Sequence, residues 1–159
     1  MRLNTLKSKG WKKIKWCGPV ALAMLTGRTL KFCHNKLARL EGKEPRYLKG
    51  VRTNSMLAAL REMGFRTKWV DTRPVCAISG LPAWHSKMTL RKYIEEVQTT
   101  DHFRGVMLVN VTEHFVVINK GMVADNHITV PVPVREHPAW RKKIDGGAWV
   151  VERKQKERK

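Results

Sequence analysis

The sequence predicts an α+β domain in which helices come first and most strands follow. Apolar residues recur at helical spacing through residues 17–64, and from Gly105 onward they fall in short, strand-length blocks. With 42% of its 159 residues hydrophobic, the chain has enough apolar surface for one packed core.

Each element has a local reason. Gly18-Pro19 opens an apolar run, Val20 to Leu25, that Thr26-Gly27 closes; proline at the start and glycine at the end punctuate a short helix. Because that run is apolar all round, the helix is expected to be buried. Thr29 caps a second helix, with Leu30, Cys33, Leu37 and Leu40 on one stripe. Asn54-Ser55 caps a third, in which Met56, Leu57, Leu60 and Met63 form the stripe and Gly64 the stop. Phe65 to Val70 and Val75 to Ile78 read as strands, and Leu90, Tyr93, Ile94 and Val97 as a fourth, shorter helix.

After Gly105, Val106 to Val111, Phe115 to Ile118 and Met122 to Ala124 read as three strands, with a turn at Asn119-Lys120-Gly121. Ile128 to Val134 reads as extended, and its prolines 131 and 133 restrict it to a sheet edge. Ala148 to Val151 supplies a last strand. The expected organisation is a basic arm over residues 1–16, one domain over 17–151 and a charged mobile tail over 152–159.

Composition bounds the function. The 32 Lys and Arg against 13 Asp and Glu give a net charge of +19, which favours an acidic partner: nucleic acid, a nucleoprotein, an anionic membrane surface or an acidic protein. Lys12, Lys13 and Lys15, interleaved with Trp11 and Trp16, together with Arg141, Lys142 and Lys143, are the candidate contacts for such a partner. No apolar run approaches the length of about 20 residues that spans a bilayer. The basic N-terminus lacks the apolar stretch of a signal peptide, so an intracellular, cytoplasmic location is expected. A short, Met-initiated, basic chain without a pro-segment also suits a phage or mobile-element origin. Three cysteines do not make a disulfide framework. The histidines show no metal-ligand spacing with Cys33 or Cys76, and there is no glycine-rich phosphate loop, so neither metal nor cofactor is expected.

That leaves the thiols. A cysteine is a useful nucleophile only as thiolate, and a helix N-terminus favours that form through its unpaired N–H groups. Cys17, directly before Gly18-Pro19, has this position, and its own N–H can point at a developing oxyanion. Cys33 on a helix stripe and Cys76 inside Val75 to Ile78 read instead as small core residues. A base must reach the sulfur and a third group must hold the base. The stretch from His114 to Asn126 offers both. A turn centred on Asn119-Lys120 sets His114 across from Asp125, and one residue more sets it across from Asn126; Asp125 is preferred. His102 is a competing base, in what reads as a loop.

Cys-Gly-Pro before a small, apolar helix, then His-Phe-Val-Val on a strand, then a return to Asp-Asn, resembles the papain-like cysteine peptidases. The likeness is greatest to their bacteriocin-processing, double-glycine branch in bacteria and phages, and spans roughly Trp11 to Val134. It implies a helical half packed on an antiparallel sheet with the site between them, a peptide or protein substrate, and a Cys17–His114–Asp125 triad. The chain departs from that pattern at one place. Those peptidases carry a glutamine about six residues before the cysteine as oxyanion donor; here Trp11 followed by Lys12 takes that place, and the indole N–H or the ammonium is the expected substitute donor, with Asn126 in support. The departure leaves deamidation, acyl transfer or a lapsed enzyme beside peptide hydrolysis. The alternative from another class is a non-catalytic, basic binding module on nucleic acid or a nucleoprotein.

Overall fold

The computed structural model describes residues 16–70, 87–97 and 105–153, with the backbone alone at 96, 97 and 146. The expected arm, with Trp11, Lys12, Lys13 and Lys15, the strand Val75–Ile78 with Cys76, His102 and the tail from residue 154 lie outside the described residues.

Three helices come first: α1 (Cys17–Thr26), α2 (Leu30–Leu40) and α3 (Thr53–Glu62). Helix α1 is buried from Gly18 to Leu25 and packs on α2, α3 and the sheet. Pro19 falls within its first turn, where a missing N–H costs no helical bond. Gly27 ends it at φ 71°, a conformation that glycine adopts without a Cβ clash, and donates its N–H to the Ala23 carbonyl. Thr29 caps α2 as expected, accepting from the Phe32 N–H. Helix α3 begins earlier than expected. Arg52, not Asn54-Ser55, is its N-cap residue, and its side chain makes no cap bond. The anion comes from elsewhere in the chain. Glu41 accepts from the Arg52 N–H at 2.8 Å and the Arg52 Nε at 3.0 Å, and Ser55 also bonds to it.

Strands β1 (Phe65–Val70), β2 (Val106–Val111), β3 (His114–Asn119), β4 (Met122–Ala124), β5 (Val132–Pro133) and β6 (Ile144–Arg153) form one sheet in the order β1-β6-β2-β3-β4-β5, with every pairing antiparallel. The proline-bearing β5 is an edge strand, but only Val132–Pro133 of the expected 128–134 is strand. Strand β6 runs to Arg153, so Glu152 and Arg153 pair with Arg66 and Phe65 and are not part of a tail.

Both sheet faces are covered. Val106, Leu108, Phe115, Val117 and Ala124 pack under α1–α3, while Met107, Val109, Val116, Ile118 and Val123 pack under α4 (Leu90–Val97) and the turn around Ala139. The helical half thus lies on the antiparallel sheet in the layout that a papain-like fold implies, with α4 added behind it.

Two tight turns bracket β3. In the first, Thr112 and Glu113 both have positive φ, 47° and 60°; in the second, Lys120 and Gly121 have 50° and 76°. Positive φ at both central residues is the type I′ pattern, whose twist suits a hairpin. Glycine takes it freely; a β-branched threonine does not. Replacing Thr112-Glu113 by Asn-Gly is therefore expected to raise unfolding stability by about 1 kcal/mol. Glu41→Ala is expected to lower it by about 1 kcal/mol by uncapping α3. Denaturant titration reads both, and no change in either variant would contradict the corresponding account.

Candidate active site

Cys17 is the first residue of α1, half-buried against the helical core. Gly18 beside it is there for closeness: a Cβ at this position would stand 2.9 Å from Val51 Cγ2. The absence of that atom lets the 48–51 segment press against the head of α1. His114 is the first residue of β3, and its ring meets Cys17 through a side-chain hydrogen bond.

Neither expected hairpin register is correct. The turn centres on Lys120-Gly121, and Val117 faces Ala124, Ile118 faces Val123 and Asn119 faces Met122. Continued past the last pair, this register sets His127 opposite His114, and the two rings do stack at 5.7 Å. Asp125 is a diagonal neighbour on the same face, because residues two apart on a strand share a side. It bends back to reach His114: its Oδ1 accepts the N–H groups of His127 and Ile128, both at 2.7 Å, and its Oδ2 lies 2.8 Å from His114 Nε2. With Nε2 on the carboxylate, Nδ1 is left for the sulfur.

The electrostatics follow from these contacts. Burial pushes the Cys17 thiol up, but the His114 hydrogen bond, the Phe115 N–H, the His114 charge and the Gly18 N–H outweigh it, and its pKa lies below the ordinary thiol value. Burial opposes charge on His114 too. The hydrogen bonds to Asp125 and Cys17 reverse this and raise its pKa to about 9. Asp125 is 4% exposed; burial works against its charge, yet His114, His137 and the two backbone N–H groups hold it well below the usual carboxylate range. Cys33 is fully buried, and burial outweighs the Thr26 hydrogen bond and the Arg28 charge, pushing its thiol up to about 11. The two described thiols therefore move in opposite directions.

A cleft of about 260 Å³ opens at the sulfur, walled by Trp16, Cys17, the Leu48–Val51 segment, His114 and Asn126. A second, of about 450 Å³, lies on the far side of His114 against Asp125, Ile128, Pro138 and Lys142; Glu113, His114 and His127 border both. Trp16 rests against the His34 ring at 4.6 Å.

No protein-family model and no curated protein matches this chain. Among solved structures it is similar to the crystal structure of a double-glycine-motif protease from an AMS/PCAT transporter in complex with the leader peptide, at 14% identity and a TM-score of 0.49. The match covers 96% of this chain and 92% of that one.

Of the residues singled out from sequence, Cys17, His114 and Asp125 come together, and Asn126 lines the cleft without replacing Asp125 on the imidazole. Arg141, Lys142 and Lys143 are exposed, and the backbone carbonyls of Lys142 and Lys143 accept from Leu90 and Thr112. Among the described residues no group of His, Cys, Asp or Glu is arranged to hold a metal ion, and no helix is long and apolar enough to cross a membrane. Sequence reasoning missed His137, which lies behind Asp125. Its one local signal, a histidine before Pro138 capping a turn, says nothing about which carboxylate it meets.

The raised pKa of His114 has a consequence for stability. The stabilisation its partners give its charged form is complete below its ordinary value of 6.5 and fades as the pH rises through about 9. The stability advantage of wild type over His114→Ala is expected to shrink across that interval in denaturant titrations. An advantage that grows with pH there would contradict the pairing.

Proposed function

We propose that the protein is a papain-like cysteine peptidase or a related thiol amidohydrolase or acyltransferase, with Cys17 as nucleophile, His114 as general base and acid, and Asp125 as orienter. One observation carries the reading: a thiol at the head of a buried helix is hydrogen-bonded to an imidazole whose other nitrogen rests on a buried carboxylate. The lowered thiol value and the raised imidazole value both shift the pair toward its thiolate–imidazolium form.

The thiolate attacks an amide carbonyl carbon, and the carbonyl π pair moves onto oxygen. The Cys17 N–H, one of the N–H groups a helix start leaves without an intrahelical partner, is the first donor to that oxyanion. Asn126 is a polar group in the same cleft. Collapse re-forms the carbonyl and expels the amine, which takes the proton from His114 and leaves a thioester on Cys17. Water, or another nucleophile in acyl transfer, attacks the thioester while His114 takes its proton. The carboxylic acid leaves and the thiolate returns. Asp125 stays ionised throughout and keeps Nε2 protonated, so that Nδ1 faces sulfur.

Two cavities that meet at His114 suit an extended peptide, with acyl and amine portions on opposite sides of the imidazole. A net charge of +19 favours an acidic substrate.

Iodoacetamide at mildly acidic pH tests the nucleophile, with the modified cysteines identified by mass spectrometry. Cys17 is expected to react far faster than the other two cysteines; equal rates would remove the proposal. On a fluorogenic peptide library, Cys17→Ala and His114→Ala are expected to lower hydrolysis at least about a hundredfold.

A further inference from the structure

Asp125 is held from two sides. Besides His114, it faces His137, whose Nε2 lies 3.4 Å from the same oxygen, Oδ2. His137 is 2% exposed. Its Nδ1 accepts the N–H of Ala139 at 3.2 Å, so Nδ1 carries no proton and the proton of the neutral ring is on Nε2. Among the described residues, Nε2 has no acceptor nearer than that carboxylate. A buried N–H needs an acceptor, and at 3.4 Å, the long end of the range, this carboxylate is the one in reach.

The element that carries His137 is itself anchored. The His137 N–H donates to the Val134 carbonyl, and its own carbonyl accepts from Trp140. The segment is then tied to the start of α4: the Leu90 N–H donates to the Lys142 carbonyl, and Thr89, just before the helix, bridges Lys143. The imidazole thus projects from a braced turn, whereas Asp125 lies just past the end of the short strand β4. On the α4 side of the sheet, something rigid backs a carboxylate whose own strand has ended.

We propose that His137 is a positioning residue: as a neutral Nε2–H donor it fixes Asp125 Oδ2 on His114, and through it the Cys17–His114 pair. This deepens, and rests on, the proposed thiol chemistry. His137 touches no reacting atom; it acts through Asp125. Without it, Oδ1 stays on two backbone N–H groups, but Oδ2 loses its second restraint and turns more freely away from Nε2.

The test is the pH profile of Cys17 alkylation by iodoacetamide in wild type, in His137→Met, which keeps bulk but donates nothing, and in His137→Gln, whose amide N–H replaces the donor. The methionine variant is expected to react about tenfold more slowly than wild type near pH 6 and equally near pH 10, with glutamine restoring most of the difference. A merely structural role would lower the melting temperature of the methionine variant and leave the shape of its profile unchanged. Superimposable wild-type and methionine profiles would overturn the proposal. Long-range ¹H–¹⁵N correlation spectra of wild-type protein test it without mutation: the Nε2–H tautomer of His137 is expected, and an Nδ1–H tautomer would equally overturn it. If Cys17 of wild type showed no thiolate reactivity near pH 6, the enzyme reading would fail first, and the tautomer would still decide whether His137 backs Asp125.

Discussion

A carboxylate taken out of water stays charged only if donors replace the water it has lost, and Asp125 has collected them from three places in the chain. Two come from the backbone just after it, one from the start of β3 and one, more distant, from the turn at residue 137. Because the donors are fixed, the carboxylate is fixed, and the ring resting on it has one orientation left. The sulfur then finds an imidazole nitrogen that is already aimed. Removing the charge would leave buried donors unmatched and a histidine with no reason to hold its tautomer.

The rest of the fold delivers these groups to one end of the sheet. Helix α1 is uncharged and buried, so its head can reach the sheet end only if nothing bulky stands beside it; Gly18 meets that condition against Val51. The Thr112-Glu113 turn is as short as a hairpin allows, which makes the imidazole the first side chain of β3. Glu41 reaches from the end of α2 to the start of α3 and steadies the segment that walls the cleft. Strand β2, buried on both faces, is the common floor.

Much of this was legible in the residues. Punctuation by proline, glycine and threonine marked α1 and α2, and Val106 to Val111 reads as a strand because its apolar block, interrupted at Asn110, has strand length. Cys17, His114 and Asp125 could be picked out because helix start, strand start and return hairpin each carry a local signature. What failed was long-range or register-dependent. The Asn54-Ser55 cap lost to a carboxylate eleven residues before Arg52, which no local pattern contains. The hairpin slipped past both expected registers because Lys120, not only Gly121, accepts a positive φ. The chosen carboxylate survived the slip because a shift of two residues leaves every side chain on its original face. His137 stayed hidden because eleven residues, β5 among them, separate it from Asp125, and no local pattern spans that gap.

The Phe115 and Val117 side chains lie in the same apolar cluster as α1, so the strand that presents the imidazole and the helix that presents the thiol share one continuous interior. Two lobes joined by a hinge can breathe, and their mouth widens to admit a bulky guest. Here the floor is welded. If the proposed chemistry holds, the room for a visitor would have to come from the rim, with the Trp16 indole and the Lys49–Val51 stretch on one side of the imidazole and Pro138 and Lys142 on the other.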